Sequence, residues 1–243
     1  MPNAISRDRL RLASHVRACS CGRSVILLDL RSGRYLGIGE AVSRTLAGHV
    51  DGWPTGHEPL DDAATRKQDA VGGAARSLVD RGFLTKQLAN SSPMVSLEAA
   101  SASIDVDAPS AHLAFAPRRL LQFTTSVAAA AWGLRCRSLQ AIARSIAARR
   151  ALFPVPDAEP LRAMQSGVAA YEALRPFVFT AREKCLLDSL TLVTFLAKEG
   201  LAPHWVIGVK AAPFAAHSWV QSGRTVLNDQ HEYVCQFRPI LVV

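Results

Sequence analysis

Three residues in the C-terminal third of the chain have the side chains needed for a thiol nucleophile. Cys185 lies near the start of a helical pattern, His217 in a strand pattern, and Asp229 in the pattern of the next strand. Thiolate is the reactive form of cysteine, and a neighbouring histidine both favours the thiolate and accepts its proton. A carboxylate fixes the tautomer and orientation of that histidine. Their spacing therefore predicts a site for nucleophilic attack on a carbonyl group.

Other residues in the same region compete for each of these roles. His204 and His231 are alternative bases, Asp188 or Asn228 is an alternative orienting group, and Cys235 is an alternative nucleophile. A cysteine on an apolar helix is also more often a packed core residue than a nucleophile. Residue types and spacing alone leave these assignments open.

The start of the helix that carries Cys185 decides how its thiol is activated. Thr180-Ala-Arg-Glu183 fits a capping box, which would make Thr180 the N-cap and place Cys185 in the second turn, where the helix dipole has faded. His217 would then supply most of the activation. A helix that begins near Glu183 would instead bring backbone N–H groups to Cys185 as an oxyanion hole. The sequence leaves both starts open.

The C-terminal half reads as helices followed by strands. Helical patterns cover residues 115–150, 159–174 and 180–198, with a break near Gly133 and an end at Gly200. Strand patterns follow at residues 204–210, 217–221, 225–228 and 238–243. Ser222-Gly223-Arg224 predicts a hairpin turn between the strands of His217 and Asp229. This order predicts an α+β domain with an antiparallel sheet.

The N-terminal part predicts a smaller domain of short strands and helices. Its strand patterns lie at residues 15–19, 24–30 and 34–38, and its helical patterns at 40–50 and 60–80. Residues 89–111 are rich in Ser, Ala, Pro and Asp without apolar periodicity, which is typical of a linker. The predicted domains are residues 1–90 and 113–243, joined by a linker at 91–112.

The charge of the chain is concentrated in its C-terminal half. The 243 residues carry 28 basic and 20 acidic side chains, and residues 117–150 contain seven arginines and no acid. Such a stretch could meet nucleic acid, a membrane surface, an acidic peptide or an acidic protein, or it could be a solvated helix face. Peripheral membrane association stays open, whereas the run at residues 120–134 is too short and too polar to span a bilayer.

The five cysteines indicate a reducing compartment. Their number is odd, their spacing is irregular, and no secretory signal precedes them, so we expect free thiols and a cytoplasmic location. No C-x-x-C pair is present, so no metal site is expected. No phosphate-binding loop of the G-x-x-x-x-G-K-[ST] type is present either.

Several uncommon residues around the three candidates occur together in one known family. The runs are Cys185-Leu-Leu-Asp-Ser-Leu, Trp205-Val-Ile-Gly-Val-Lys210, Pro213-Phe-Ala-Ala-His217-Ser-Trp-Val and Val226-Leu-Asn-Asp229. This pattern resembles the leader peptidases, or B proteins, of lasso-peptide biosynthesis, which are transglutaminase-like cysteine peptidases. The resemblance implies a papain/transglutaminase-like fold with Cys185 as nucleophile, His217 as base and Asp229 as orienting carboxylate.

The N-terminal part resembles, less specifically, the small winged-helix-like (PqqD-like) domains that recognise leader peptides. In such domains the leader adds as a strand to the edge of a small sheet. The resemblance implies that the leader-binding groove is formed by one strand and one helix, through Arg34, Tyr35, Leu36, Ile38, Arg76 and Val79.

Together these resemblances imply an enzyme that removes the leader of a lasso-peptide precursor. Its partners would be the precursor and an asparagine-synthetase-like, ATP-dependent cyclase, with no nucleic acid. No cofactor is expected, because any ATP requirement would belong to the cyclase. Two alternatives remain: an acyltransferase of the transglutaminase or N-acetyltransferase type that uses the same triad, and a non-catalytic chaperone that binds the precursor.

Overall fold

The structure is a computed structural model that describes residues 9–54, 68–86, 96–105, 116–152, 160–178 and 184–243. The chain divides into two compact units. The first comprises residues 1–93 and 211–214, and the second residues 94–210 and 215–243. Both contain helices and strands, so the mixed composition expected from the sequence is confirmed. The winged-helix-like outline of the first unit stays a prediction.

The first unit contains short strands and two helices. Its elements are β1 Leu10–Leu12, β2 Val16–Cys21, β3 Ser24–Asp29, β4 Arg34–Ile38, α1 Glu40–Ala47, β5 Val50–Asp51, α2 Gln68–Asp80 and β6 Leu84–Thr85. Strands β2, β3 and β4 form an antiparallel meander, and β1 lies between β5 and β6 in a second sheet. Gly22 occupies the tight turn between β2 and β3 with φ +62°, a conformation that glycine adopts without steric cost.

The second unit contains five helices and five strands among its described residues. They are β7 Ala102–Ser103, α3 Pro117–Cys136, α4 Leu139–Leu152, α5 Pro160–Leu174, α6 Cys185–Ala197, β8 His204–Ala211, β9 Phe214–Ser222, β10 Thr225–Val226, α7 His231–Val234 and β11 Arg238–Val242. The strands form one sheet in the order β11-β8-β9-β10-β7. Helices before β8 and an antiparallel core of the sheet agree with the predicted order.

One strand of this sheet comes from the stretch predicted to be a linker. β7 pairs in parallel with β10, and the N–H of Ile104 donates to the carbonyl of Val226 at 2.8 Å. Leu97 and Ala100 pack against the apolar cluster on one face of the sheet. This part of the linker prediction is therefore wrong. Main-chain hydrogen bonds, rather than apolar periodicity, hold the strand, and so the side chains gave no signal.

The break between the first two helices of this unit lies later than predicted. α3 continues through Gly133 because this residue is buried, and a Cβ there would lie 3.9 Å from Ile142 of α4. The chain turns instead at Ser138, whose hydroxyl accepts from the N–H of Ala141 at 3.2 Å. Ser138 thus caps the N-terminus of α4 in the usual way.

The helix α6 is buried along most of its length. All its residues from Asp188 to Val193, as well as Phe195 and Leu196, are buried, so it is a core helix rather than an amphipathic surface helix. Its end agrees with the sequence, since Gly200 has φ +76° and the N–H of Leu201 donates back to Leu196 at 3.1 Å. This rigid element carries Cys185 at its first position.

A glycine on β8 makes room for an aromatic side chain of β9. A Cβ at Gly208 would lie 2.7 Å from two ring atoms of Trp219 and 2.9 Å from Cβ of Phe237. Trp219 is buried, and its ring is stacked at 6.2 Å from that of His217. The absence of a side chain at Gly208 therefore sets where Trp219, and with it His217, can lie.

We predict that Gly208→Ala lowers the free energy of unfolding by about 1–3 kcal/mol, because the added methyl overfills a packed core. Gly133→Ala is the matched control in the same unit. Its added methyl meets an ordinary contact in a helix interior, so it should raise stability by about 0.5–1 kcal/mol. Urea unfolding followed by tryptophan fluorescence measures both; equal effects of the two variants would contradict the packing argument.

Candidate active site

Cys185 is the first residue of α6. Lys184 is the N-cap, with φ −119° and ψ 33°, and its side chain makes no capping hydrogen bond. The capping-box prediction is therefore wrong for the start of this helix, because the non-helical backbone of Lys184 separates Thr180 from it. Thr180 to Glu183 themselves lie outside the described residues. Cys185 thus sits in the first turn, where the positive end of the helix dipole favours a thiolate.

The half-buried sulfur of Cys185 has several partners that favour its charged form. Burial raises the pKa of the thiol, but hydrogen bonds to the ring of His217 and to the backbone of Ser218 and Leu186 oppose this. The charge of His217 acts in the same direction, and the net result is a lowered pKa for Cys185. The surroundings therefore favour a thiolate over a thiol at this position.

His217 is buried on β9 between its two partners. Its Nε2 lies 2.7 Å from Oδ2 of Asp229, which leaves Nδ1 as the ring nitrogen for Cys185. Burial lowers the pKa of His217, but the hydrogen bonds and charges of Asp229 and Cys185 raise it to about 9. With the thiol pKa lowered and the imidazole pKa raised, the two side chains favour a thiolate–imidazolium pair.

Asp229 lies three residues after the end of β10, a strand that ends at Val226 and not at Asn228 as predicted. Burial raises the pKa of its carboxyl group, but the His217 hydrogen bond and the N–H of Gln230, which donates to Oδ1 at 2.8 Å, lower it overall. Both carboxylate oxygens are therefore engaged by donors. The antiparallel pairing of β9 and β10 brings residues 12 positions apart in the sequence into contact.

Three aromatic side chains fix the plane of the His217 ring. Trp219 stacks on it, Tyr233 meets it edge-on with ring centroids 5.0 Å apart, and Phe237 lies at 5.3 Å. The position of Tyr233 depends on the helix α7, which no sequence pattern predicted. Tyr233 and Phe237 are four residues apart in the sequence. This spacing of about one helical turn was the signal from which a helix at this position could have been predicted.

Asp188 holds Asn228, the residue before Asp229, in place. Its buried carboxylate accepts from Tyr171 Oη at 2.7 Å, from Asn228 Nδ2 at 3.0 Å and from Arg175 at 2.9 Å. Asn228 in turn accepts the N–H of Val220 on β9 at 2.9 Å. The side chains of α5, α6 and the end of β10 are thereby joined through one buried charge.

A second polar cluster joins α6 to β9 beside the candidates. Ser189 and Ser218 lie 2.7 Å apart through their hydroxyls, and Trp205 Nε1 is within 3.1 Å of both. Ser189 is one turn after Cys185, and Ser218 follows His217. These buried contacts fix the helix relative to the strand, and so they fix the sulfur relative to the imidazole.

The structure gives the competing candidates partners other than Cys185 and His217. His204 Nε2 lies 2.8 Å from a guanidinium nitrogen of Arg150, and burial together with that charge lowers the pKa of His204 to about 4. His231 Nδ1 is 3.1 Å from the hydroxyl of Ser103. Cys235 is exposed and its sulfur lies 3.4 Å from the carbonyl of Ala100. Asp188 and Asn228 are hydrogen-bonded to each other, whereas the imidazole of His217 is hydrogen-bonded to Asp229.

The residues suggested for leader binding lie in the first unit. Arg34, Tyr35, Leu36 and Ile38 are on β4, the last strand in the order β2-β3-β4; Arg76 and Val79 are on α2. Arg34 and Arg76 are exposed, whereas Leu36, Ile38 and Val79 contribute to the apolar core of this unit. Their role in binding stays a prediction.

Two further expectations concern metals and membranes. Within the part of the chain that the structure describes, no group of three His, Cys, Asp or Glu side chains could hold a metal ion. Of the described helices, none combines the length and apolar character needed to cross a membrane. All five cysteines are free thiols.

Comparison with known proteins identifies the domain that contains this site. Residues 124–242 match Transglut_core3, the transglutaminase-like superfamily, so the second unit carries a transglutaminase-like domain. A stretch of 48 residues, 20% of this chain, is 42% identical to "Microcin J25-processing protein McjB" of Escherichia coli. That alignment spans 23% of the relative, well under two thirds of its length. No solved structure matches.

We predict that iodoacetamide alkylates Cys185 at lower pH than it alkylates an ordinary cysteine, because the contacts of its sulfur lower the pKa of the thiol. In His217→Ala the partner that favours the thiolate is lost while much of the burial remains, so the alkylation profile should move to higher pH. Peptide mass spectrometry measures the reaction at Cys185, with exposed Cys136 as an internal reference. Identical profiles in the two proteins would refute the pairing.

Proposed function

We propose that this chain is a cysteine peptidase that removes the leader from a lasso-peptide precursor. The observation that carries the proposal is the hydrogen-bonded series Cys185–His217–Asp229, with the sulfur at the first turn of a buried helix. The transglutaminase-like match and the similarity to a protein named for microcin processing support a peptide substrate.

In the proposed reaction the Cys185 sulfur attacks the carbonyl carbon at the leader–core junction. A carbon–sulfur bond forms, and the carbon–nitrogen bond breaks as His217 gives its proton to the departing amine of the core. Water then attacks the leader thioester, and His217 takes the proton of that water. The products are a leader carboxylate, a core with a free N-terminal amine, and the original thiolate–imidazolium pair.

The negative oxygen of each tetrahedral intermediate needs donors close to the sulfur. Backbone N–H groups in the first turn of α6 are suited to this role, because they lie beside Cys185 and at the positive end of the helix dipole. Asp229 would keep Nδ1 of His217 directed at the sulfur throughout, since its own oxygens are held by Nε2 and by the Gln230 N–H.

The first unit is proposed to hold the leader as an added strand along β4. Main-chain hydrogen bonds would supply affinity, and side chains of β4 and α2 would supply specificity. Binding on the same chain raises the effective concentration of the scissile bond at the protease. The free core amine is the group that an ATP-dependent cyclase would join to an Asp or Glu side chain, so that partner would consume the product. The ATP requirement would belong to the cyclase, and this chain would need no cofactor.

A second candidate function is acyl transfer, which the match to the transglutaminase-like superfamily favours. The acyl-enzyme would be the same, and an amine rather than water would accept the acyl group. The two functions therefore differ in one product, and mass spectrometry distinguishes a leader that ends in a carboxylate from one that ends in an amide.

We predict that the purified chain converts a full-length lasso precursor to free leader and core. Cys185→Ala should slow cleavage by at least about a thousandfold and Asp229→Asn by about a hundredfold or more, because the first removes the nucleophile and the second removes the group that orients His217. The wild-type rate should also fall as pH rises through about 9, where His217 loses the proton needed by the leaving amine.

The same mass-spectrometric assay, repeated with millimolar glycine amide present, tests the competing functions. Release of a leader carboxylate supports the peptidase, whereas a leader amide as the main product would establish a transferase. If Cys185→Ala still matures the precursor in cells, the chain is a binding protein rather than the catalyst.

We predict that replacing both Arg34 and Arg76 by alanine weakens binding of a fluorescent leader peptide by about three- to tenfold, because two exposed donors beside the proposed groove are lost. Arg224→Ala, an exposed position on the second unit, is the control. Alkylation of Cys185 should be unchanged in every variant. Equal affinities across all variants would argue against leader binding at β4.

A further inference from the structure

One face of helix α3 exposes bulky apolar side chains to solvent. Leu121 is 65% exposed and Trp132 is 63% exposed, although side chains of this kind usually lie in the core. They are joined by Thr125 and Ala128 at intervals of four, three and four residues, which places all four on one side of a helix. We call these four residues the α3 face; it runs for about 16 Å.

The opposite side of α3 is firmly attached to the rest of its unit. Phe123, Ser126, Ala130 and Gly133 are buried, and Gln122 Nε2 donates to the carbonyl of Phe195 on α6 at 2.9 Å. These contacts hold the helix in position from its buried side, and Thr125 of the α3 face adds one more by accepting from Lys198 Nζ at 2.6 Å. A partner that binds the α3 face meets a surface that is already ordered, so it pays little conformational entropy there.

The charges around the α3 face have one sign. Arg118 and Arg135 are exposed near its two ends, and residues 117–152 contain no acid. Across residues 9–54, 68–86, 96–105, 116–152, 160–178 and 184–243, no acidic side chain forms an ion pair with either arginine. Arg119, which points to the other side, pairs with Glu199. A partner that presents carboxylates would therefore complement Arg118 and Arg135, which no acidic side chain of the described residues pairs with.

The middle of the α3 face is shallow. Thr125 and Ala128 are small, and they lie between the two bulky residues together with exposed Ala129. A row of small residues bounded by large ones accepts the side chains of a second helix, as knobs fit into holes. A membrane surface would instead favour a continuous row of bulky apolar residues on this side.

We propose that the α3 face binds an amphipathic helix of a partner protein, with Leu121 and Trp132 as apolar anchors and acidic residues of the partner opposite Arg118 and Arg135. A second copy of this chain fits poorly, because antiparallel α3 helices would bring Arg118 of one copy to Arg135 of the other. The contact would be small, below the area of a standard stable interface, so the complex is expected to be transient.

Photo-crosslinking tests the proposal without using the activity of Cys185. A benzoyl-phenylalanine at Ala128 of the full chain is irradiated in cells that naturally make the protein, and the attached peptide is sequenced by mass spectrometry. The expected adduct is a segment of a different protein with apolar residues at helical spacing and several Asp or Glu. The same group at Ala148, exposed on α4, is the matched control and should not capture that segment.

Variants of the anchors and charges make the test quantitative. Leu121→Asp with Trp132→Ala, and separately Arg118→Glu with Arg135→Glu, should each reduce the yield of the adduct by about tenfold. Alkylation of Cys185 should be unchanged, which separates this proposal from the proposed peptidase function.

Four outcomes would overturn the proposal: an adduct with a second copy of the chain, with lipid alone, with a segment lacking acidic residues, or no adduct above that at Ala148. A vesicle-binding assay gives a further contrary outcome. If the purified chain binds phosphatidylglycerol vesicles and the Leu121→Asp, Trp132→Ala variant does not, the α3 face binds a membrane surface rather than a partner helix.

Discussion

The partly buried hydrogen bond between His217 and Asp229 is the contact on which the candidate site depends. It joins the middle of β9 to the segment after β10, and it holds a charged group in partly buried surroundings. Burial acts against the charged forms of His217, Asp229 and Cys185 alike, and only their mutual contacts reverse this. The three side chains are therefore a cooperative unit, in which loss of one removes part of the stabilisation that offsets the burial of the other two.

This cooperation explains why so much of the surrounding structure is polar although buried. Asp188 and Asn228 tie the segment before Asp229 to α5 and α6, and Ser189 and Ser218 tie α6 to β9. An apolar core could hold the same elements together, but it would allow small shifts of one element along another. Directional hydrogen bonds fix the register, which matters where a shift of about 1 Å changes reactivity.

The sequence allowed most strands and the proximity of Cys185, His217 and Asp229 to be predicted, because β8, β9 and β11 have apolar patterns and Gly200 ends α6 as expected. The catalytic role of these three residues stays a prediction. The strand β7 was not predicted from the sequence. Its pairing rests on main-chain hydrogen bonds, and these do not require an apolar pattern of side chains. The sequence left two starts of α6 open, and the structure agrees with the later one, near Glu183, because the backbone of Lys184 is not helical. Gly133 was expected to break α3, but the helix continues through it; a Cβ there would meet only an ordinary contact with Ile142, so glycine alone does not end this helix.

The uncapped start of α6 has a consequence for what a substrate does to this protein. The side chain of Lys184 provides no oxygen for the first N–H groups of the helix, a role that a serine or aspartate side chain usually fills. In the proposed reaction, the oxygen of the tetrahedral intermediate attached to Cys185 would accept from these N–H groups. The reacting peptide would then act as the missing helix cap of α6 for the lifetime of that intermediate.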